Sequence, residues 1–253
     1  MSFLESSGKF KRRIKEGFIK RRYMYSRLKI FLRQELDVLF AVNFFDLISF
    51  HLNLFRCNRK IRTRLKTRSK PYNSDLIAQE KYLNYKFWLK ESLIRFYKLG
   101  LHRDEKKTIL DIGTGTGYFP FICNEFSHVG FCLDVPDNEL YDRITDSLGL
   151  IKFKRYINSF ELLKLNTNER FDLVTAYMIC FNNHKQENLW SNKEWEFFIS
   201  DLQDNYLKKD GKILLNFNEE SPGIYFSSEL LGYFNGMNYV VEGNNILIEN
   251  QTT

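Results

Sequence analysis

The feature that most constrains this chain is an apolar run that ends in three alternating glycines. Residues 108–112 read Thr-Ile-Leu-Asp-Ile, with Asp111 as the polar member, and Gly113, Gly115 and Gly117 follow. A nearly continuous apolar run is typical of a parallel strand that is buried on both faces. Glycines permit positive φ and let the backbone approach a ligand closely. The pattern predicts a doubly wound α/β domain with a ligand cradle after this strand, closed by the N-terminus of the next helix.

A second apolar run, residues 129–133, ends on Asp134. Asp134 lies about 20 residues past Gly113, the spacing at which an acidic side chain reaches ribose hydroxyls. A dinucleotide-binding fingerprint would need a third glycine where this chain has Tyr118, so a nicotinamide or flavin dinucleotide is disfavoured. The cradle therefore favours a nucleoside. The alternative is a glycine-rich turn of any doubly wound protein, with Asp134 as an ordinary carboxylate at a strand end.

From about residue 76 to the end, these motifs resemble those of the class I S-adenosylmethionine-dependent methyltransferases. The resemblance implies an α/β fold, a three-layer Rossmann-like sheet of about seven strands that ends in an antiparallel hairpin. It also implies methyl transfer with S-adenosyl-L-methionine as the cofactor. Carried over to this sequence, the cofactor-binding residues are Asp111, Gly113, Thr114, Gly115, Gly117 and Asp134, and by position alone Asn158, where an adenine edge is commonly contacted.

Local patterns predict the remaining elements of this domain. Apolar periodicity and capping residues indicate helices over residues 75–99, 118–126, 138–148, 195–207 and 227–234. Short apolar runs indicate strands over residues 151–157, 171–178, 212–217, 239–242 and 246–249. We expect a turn at residues 209–211 and a hairpin turn at residues 243–245.

Charge divides the chain unevenly. Residues 1–70 contain 19 Lys and Arg against 5 Asp and Glu, whereas the other 183 residues contain 19 against 26. Residues 9–39 show helical apolar spacing with basic residues between, which predicts a basic amphipathic helix. We therefore expect a basic helical extension over residues 1–74, followed by a methyltransferase domain over residues 75–253. Residues 9–70 would attract a polyanion, either RNA or an anionic membrane surface, while a solvated basic face is the plain alternative.

The sequence also indicates a cellular setting. The apolar stretch over residues 39–55 is interrupted by polar residues, so we predict no transmembrane segment. The charged N-terminal residues lack the apolar core of a secretory leader, so we expect no secretion. Cys57, Cys123, Cys132 and Cys180 have no paired spacing and are expected to be small core residues in a reducing compartment. We expect a cytoplasmic protein, with peripheral membrane attachment as an option, and no metal.

Catalysis needs few side chains, because a methyl group on a sulfonium is already a good electrophile and positioning dominates. His184, just beyond the predicted fourth strand, is the candidate general base, and the neighbouring Asn183 would orient a polar acceptor. Both could instead be ordinary loop residues, in which Asn caps a turn. Glu219 and Glu220 follow the fifth strand and are further candidates, with solvated loop charge as their plain interpretation.

Missing motifs narrow the acceptor. Residues 177–181 read Tyr-Met-Ile-Cys-Phe, so the Asn/Asp-Pro-Pro-Tyr/Phe tetrapeptide of many N-methyltransferases is missing there. We expect methylation of an oxygen, less readily a nitrogen, on a small molecule, sugar or lipid. The alternatives are an RNA methyltransferase whose basic extension contacts phosphates, and a catalytically silent S-adenosylmethionine-binding partner subunit.

Overall fold

The computed structural model describes residues 29, 32–40, 42, 44–68 and 84–250. It divides into two compact units, Met1–Leu52 and Asn53–Thr253. In the first unit, residues 32–40 are helical, and a short 3-10 turn, Phe44–Asp46, leads into helix α1, Leu47–Arg68, which continues into the second unit. The predicted boundary at residue 74 lies outside the described residues, as do residues 9–28, 30 and 31 of the predicted helix over residues 9–39. Its residues 32–39 are helical, as predicted.

Alternating strands and helices make up the second unit after α1. The helices are α2 (Tyr85–Lys98), α3 (Tyr118–Glu125), α4 (Glu139–Leu148), α5 (Asn192–Asp201), which runs into a π-helical turn (Leu202–Tyr206), and α6 (Ser228–Gly236). The strands are β1 (Thr108–Ile112), β2 (Val129–Asp134), β3 (Ile151–Lys154), β4 (Phe171–Ile179), β5 (Leu207–Phe217), β6 (Val240–Glu242) and β7 (Asn245–Glu249).

All seven strands form one sheet in the order β3-β2-β1-β4-β5-β7-β6. Strands β1 to β5 run parallel, β7 is antiparallel to β5, and β6 is antiparallel to β7. The strand order reverses between β1 and β4, where the carboxyl ends of neighbouring strands leave a crevice in open α/β sheets. This confirms the predicted Rossmann-like sheet with its terminal antiparallel hairpin.

Successive side chains of a strand point to opposite faces of the sheet. Both faces of this sheet are covered by helices. One face of β1 carries Leu110 and Ile112, which belong to a buried cluster with Trp195 of α5 and Phe234 of α6. The other face is covered by α3, which packs on β1 and β2 and also on α2. The result is a three-layer domain that fixes the glycine loop at the open edge of its central layer.

Helix boundaries follow the local signals where those signals are strong. Asn138 caps α4, since its side chain accepts a hydrogen bond from the Tyr141 amide, and Gly149 ends the helix in the left-handed region. Several predicted boundaries were wrong, among them the end of β3, which is Lys154 and not residue 157. α5 begins at Asn192, because Ser191 and Glu194 form a capping box. The turn predicted at residues 209–211 is an irregularity inside β5, whose pairing with β4 shifts after Leu207.

The described residues contain no single helix that is both long enough and apolar enough to cross a membrane. One bent pair meets those limits of length and composition together: Leu32–Phe40 and Phe44–Leu65, at 119° to each other.

Candidate functional site

A crevice of about 380 Å³ opens at the carboxyl ends of β1, β2 and β4. Its volume falls within the range of small-molecule and cofactor sites. The lining comes from five parts of the domain: the α2 side chains of Trp88, Ser92 and Arg95, the β1 end and loop over residues 111–116 with Tyr118 and Phe119, the β2 end over residues 133–135, Tyr141 with Arg155 and Ile157, and the β4 end over residues 177–181. Most of the predicted cofactor residues therefore meet at one place.

The glycine loop is pinned to the neighbouring strand. The amides of Gly113 and Thr114 both donate to the Leu133 carbonyl, at 2.8 and 3.3 Å. Gly117 has φ +74°, and a Cβ there would lie 2.5 Å from Leu150 Cδ1. Gly117 therefore serves conformation and packing and is not among the lining residues, whereas Gly113, Thr114 and Gly115 line the crevice.

Asp134 ends β2 at the crevice and gives the loop a second anchor on the same strand. One carboxylate oxygen accepts a hydrogen bond from the Gly115 amide and the other accepts from the Val135 amide at 2.8 Å. Burial raises the pKa of Asp134, against the lowering effect of these two amide bonds. Each carboxylate oxygen has a second lone pair, so the same side chain can still accept from a ligand hydroxyl.

Asp111 lies in β1, two residues before Gly113, and is almost fully buried, at 4% exposure. Its Oδ1 accepts a hydrogen bond of 2.7 Å from the Thr175 hydroxyl on β4. Burial raises the pKa of Asp111 to about 6, although the bond from Thr175 and the charge of Arg95 act in the other direction. A buried carboxylate at a crevice favours a cationic ligand, which would relieve the cost of its charge.

Helix α2 contributes side chains that the sequence patterns did not reveal as site residues. Trp88, Ser92 and Arg95 are spaced by four and three residues, so they share one face of the helix. The guanidinium carbon of Arg95 lies 4.0 Å from the centroid of the Tyr177 ring on β4, a cation–π distance. The one sequence signal for these three residues is their helical spacing. That spacing is equally typical of a helix face that packs in the core.

The end of β4 is irregular. The pairing of β4 with β5 shifts between Tyr177 and Ile179, and Met178 between them has φ +53°. Two asparagines from the end of β5 fix this bulge: Asn216 Oδ1 accepts from the Met178 amide at 3.2 Å, and Asn218 Nδ2 donates to the Met178 carbonyl at 2.9 Å. Bulges and positive φ at non-glycine residues are common next to active sites, where they redirect side chains.

His184 and Asn183 lie in the loop after β4, outside the residues that line the crevice. His184 Nδ1 is 2.8 Å from Glu220 Oε1, and the Lys185 amide donates to Glu220 Oε2 at 2.8 Å. A carboxylate only accepts hydrogen bonds, so Nδ1 is the donor in this contact. Asn183, at φ +61°, donates from Nδ2 to the Asn188 carbonyl at 3.1 Å. Both catalytic assignments stay predictions.

Two further predicted residues differ from their expected surroundings. Asn158 is exposed, donates to Glu161 at 2.8 Å and is not among the crevice residues, which instead include its neighbours Arg155 and Ile157. Its role at the adenine edge stays a prediction. Cys180 was expected in the core but is exposed and lines the crevice, because it follows the last residue of β4 and not a buried strand position. Cys57, Cys123 and Cys132 are buried.

Among the residues described by the structure, no three His, Cys, Asp or Glu side chains gather as a metal ion would need. The expectation of a metal-free site stays a prediction.

Comparison with known proteins gives matches only at the level of structure. No protein-family model matches the chain, and no curated protein matches it. Streptomyces venezuelae DesVI is similar over 72% of this chain and all of that chain, with 12% identity and a TM-score of 0.49. A ribosomal protein L11 methylase from Lactobacillus delbrueckii subsp. bulgaricus shares 18% identity over 60% of this chain and 73% of that chain, with a TM-score of 0.38. A TehB-like SAM-dependent methyltransferase from Corynebacterium glutamicum shares 13% identity over 60% and 83%, with a TM-score of 0.40.

The architecture can be read from the chain's own structure. The sheet of seven strands, its terminal antiparallel hairpin and the glycine loop after β1 are those predicted from the sequence motifs. The chain has a Rossmann-like α/β fold, the fold that its resemblance in sequence to the class I S-adenosylmethionine-dependent methyltransferases implies.

Proposed function

We propose that this chain is an S-adenosylmethionine-dependent methyltransferase that methylates an oxygen, less readily a nitrogen, of a small molecule, sugar or lipid. One observation carries the proposal: the glycine loop, Asp111 and Asp134 converge on a single crevice at the point where the strand order reverses. Ligands of open α/β sheets bind at this point.

The crevice chemistry fits a nucleoside that carries a positive charge. Asp134 offers carboxylate lone pairs suited to vicinal hydroxyls, as the spacing rule for ribose recognition requires. Val135, Ile157 and Tyr141 give an apolar and aromatic lining near it, suited to a base. Asp111 supplies a buried negative charge suited to a cation. When bound, S-adenosylmethionine would supply an activated methyl group.

The part of the crevice beyond the glycine loop is suited to the acceptor. It is formed by the β4 end, including Tyr177, Cys180 and Phe181, and faces the α2 side chain of Trp88. Aromatic walls exclude water and favour an acceptor with an apolar portion. The chain's task there is to hold the acceptor atom in line with the methyl group, because positioning supplies most of the rate enhancement.

We assign His184 as general base for a hydroxyl acceptor. His184 does not itself line the crevice, but its backbone amide donates to the carbonyl of the lining residue Cys180 at 3.4 Å. Its Glu220 contact fixes the ring orientation and leaves Nε2 as the proton acceptor. This repeats the base-and-orienting-group arrangement of activated nucleophile sites. Glu220 is thus a positioning residue, a role that its place on a charged loop did not reveal.

Calorimetry with S-adenosylmethionine and S-adenosylhomocysteine tests the cofactor first. Transfer of a labelled methyl group into fractionated extract then tests for an acceptor and separates an enzyme from a silent binding subunit. We expect micromolar binding of both ligands, on the order of many cofactor sites, and label in a low-molecular-weight or lipid fraction. Absence of binding to either ligand would refute the assignment, and label in RNA would move it to the RNA alternative.

The base assignment has a sharper test once the acceptor is known. We expect His184→Ala to lower kcat about a hundredfold, with cofactor affinity unchanged. Glu220→Gln should lower kcat less, because the ring remains but loses its orienting charge. Gln186→Ala, an exposed neighbour in the same loop, is the matched control. An unchanged kcat in His184→Ala would remove the base from the proposal.

A further inference from the structure

Helix α1 and the turn before it present a cluster of large apolar side chains to solvent. Phe44, Phe45, Ile48, Leu52 and Phe55 are between 65% and 89% exposed. Single exposed apolar residues are normal on protein surfaces, but a contiguous group marks an interaction site. We name these five residues the apolar face.

The helical spacing of residues in α1 places the apolar face on the same side of the helix as a group of arginines. At 3.6 residues per turn, positions 48, 52, 55, 59 and 62 lie on one side of the helix. The first three are Ile, Leu and Phe, and the next two are Arg59 and Arg62, both exposed. The opposite side carries Phe50, Cys57 and Ile61, all buried at 1% exposure or less. One exposed side of α1 is therefore apolar in its first half and basic in its second.

The distribution of charged residues along α1 supports this division into an apolar first half and a basic second half. The 22 residues of α1 include no Asp or Glu, whereas Arg and Lys occur throughout its second half. Arg56, Arg59 and Arg62 are exposed. Lys60 and Arg64 instead point toward the domain, where both pair with Glu125 and Arg64 donates to the Leu148 carbonyl at 2.6 Å. The cations on the exposed side are thus separate from those that fasten the helix to the domain.

We propose that α1 docks the protein on an anionic phospholipid membrane surface. The apolar face enters the boundary between headgroups and acyl chains, and Arg56, Arg59 and Arg62 contact lipid phosphates. Interfacial helices combine large apolar side chains on one face with Lys and Arg, and their binding increases with both apolar area and anionic lipid. This inference goes beyond methyl transfer and does not depend on the cofactor assignment.

Other occupants fit the same surface less well. A second copy of the chain would bring two helices without acidic residues against each other, and like charges repel. RNA would account for the arginines and could stack on phenylalanines, but Ile48 and Leu52 have no ring to stack. A lipid surface is the partner that uses both halves of α1.

Vesicle co-sedimentation of the full chain tests the proposal. Phosphatidylcholine vesicles with added phosphatidylglycerol should bind the protein, and vesicles of phosphatidylcholine alone should bind it far less. Replacing the three helical apolar residues together (Ile48→Ser, Leu52→Ser, Phe55→Ser) should weaken partitioning about a hundredfold. Arg59→Gln with Arg62→Gln should weaken it about thirtyfold on anionic vesicles, and added salt should reduce that difference.

Matched controls come from exposed residues elsewhere. Ile224→Ser with Val240→Ser removes apolar side chains that are 53% and 49% exposed, and Lys106→Gln with Lys209→Gln removes two exposed charges. Neither control should change vesicle binding. A Phe55→Trp variant adds an independent measurement: the fluorescence that it gains over the wild type should shift to the blue on anionic vesicles and be quenched by brominated lipid.

Several results would overturn the proposal. Equal binding of the wild type and the triple serine variant would show that the apolar face is not used, and an unshifted spectrum of the Phe55→Trp variant would agree. Dimerisation that the triple variant abolishes would assign the face to a second copy. Binding to RNA that needs the arginines but not the apolar residues would assign it to nucleic acid. None of these results would touch cofactor binding, so the two proposals fail separately.

Discussion

Strands β1 and β4 lie side by side in the sheet, and both end at the crevice, but they end in different ways. β1 runs into a glycine loop that is held by the adjacent strand, through the Leu133 carbonyl and the Asp134 carboxylate. β4 ends in a bulge at Met178, which is held by Asn216 and Asn218 from the end of β5. One end depends on glycines and the other on side-chain amides.

Under the proposed function the crevice has two tasks, cofactor binding and acceptor positioning, and we assign one task to each strand end. A cofactor site can rest on backbone approach, which glycine provides in any sequence context. An acceptor site must present particular side chains, and a bulge re-aims them without altering the rest of the sheet. We therefore expect substitutions at the β1 end to act on stability and cofactor affinity, and substitutions at the β4 end to act on turnover.

Gly117→Ala should have the largest effect. The new Cβ would adopt a φ near +74° and meet Leu150 and Thr145 at 2.5 and 3.0 Å, so positive φ and overpacking both contribute. We expect a loss of about 3 kcal/mol in the free energy of unfolding, measured by urea denaturation. Gly149→Ala is the control, since it shares a φ of +71° but has nothing within 4 Å of the new Cβ. Equal losses in both variants would show that packing at the loop is unimportant.

Asp111→Asn should change how stability depends on pH. The pKa of Asp111 rises from 3.8 in the unfolded chain to about 6 in the folded protein, so between these values the folded protein holds a proton that the unfolded chain has lost. Stability from this group is full below pH 3.8 and declines as pH rises to 6. Asn accepts the Thr175 bond without ionising. We expect the stability difference between the variant and the wild type to shift by about 2 kcal/mol in favour of the variant from pH 4 to pH 7.

If the free energy of unfolding depended on pH in the same way in the wild type and in Asp111→Asn, Asp111 would be ionised in the folded protein at little cost. Thr175→Val provides a second measurement. It removes the hydrogen bond that favours the charged form of Asp111. The free energy of unfolding of this variant should therefore fall more steeply with rising pH than that of the wild type.

The same two strand ends show what the sequence predicts and what it does not. The β1 loop was predictable because the sequence features that form it are local: an apolar run, three glycines and one Asp at a fixed spacing. The β4 bulge was not, because Asn218 acts on a carbonyl 40 residues earlier in the chain. Arg95 on Tyr177 and Glu220 on His184 are likewise contacts between distant segments. In each case the sequence shows the residue but not which distant residue it contacts.

Asp134→Ala tests the cofactor side by affinity. Removal of the carboxylate leaves the amides of Gly115 and Val135 without an acceptor and removes the predicted contact to ribose. We expect the Kd for S-adenosylhomocysteine to increase at least about tenfold by calorimetry, the loss of roughly one charged hydrogen bond. Asp137→Ala is the control: it lies three residues away, contacts Tyr156 and does not line the crevice. Similar Kd values in the two variants would place the ribose elsewhere.

Asn218→Ala tests the acceptor side and should have the smallest effect on stability. Its Nδ2 donates to the Met178 and Ile179 carbonyls, at 2.9 and 3.1 Å, and lies 3.2 Å from Cys180 Sγ. These groups are partly solvated, so we expect a loss of about 1 kcal/mol in unfolding free energy. Asn205→Ala, which removes a bond to Asp201 away from the crevice, should cost a similar amount.

The two asparagine variants should differ in turnover, and that difference decides whether the bulge belongs to the site. If the β4 bulge positions the acceptor, Asn218→Ala lowers kcat about tenfold, since a displacement of about 1 Å in the bound geometry costs between ten- and a hundredfold. The Kd for S-adenosylhomocysteine should stay the same, because the glycine loop has its own supports. Asn205→Ala should leave both quantities unchanged. A higher Kd with unchanged kcat in Asn218→Ala would reverse the division of tasks between β1 and β4.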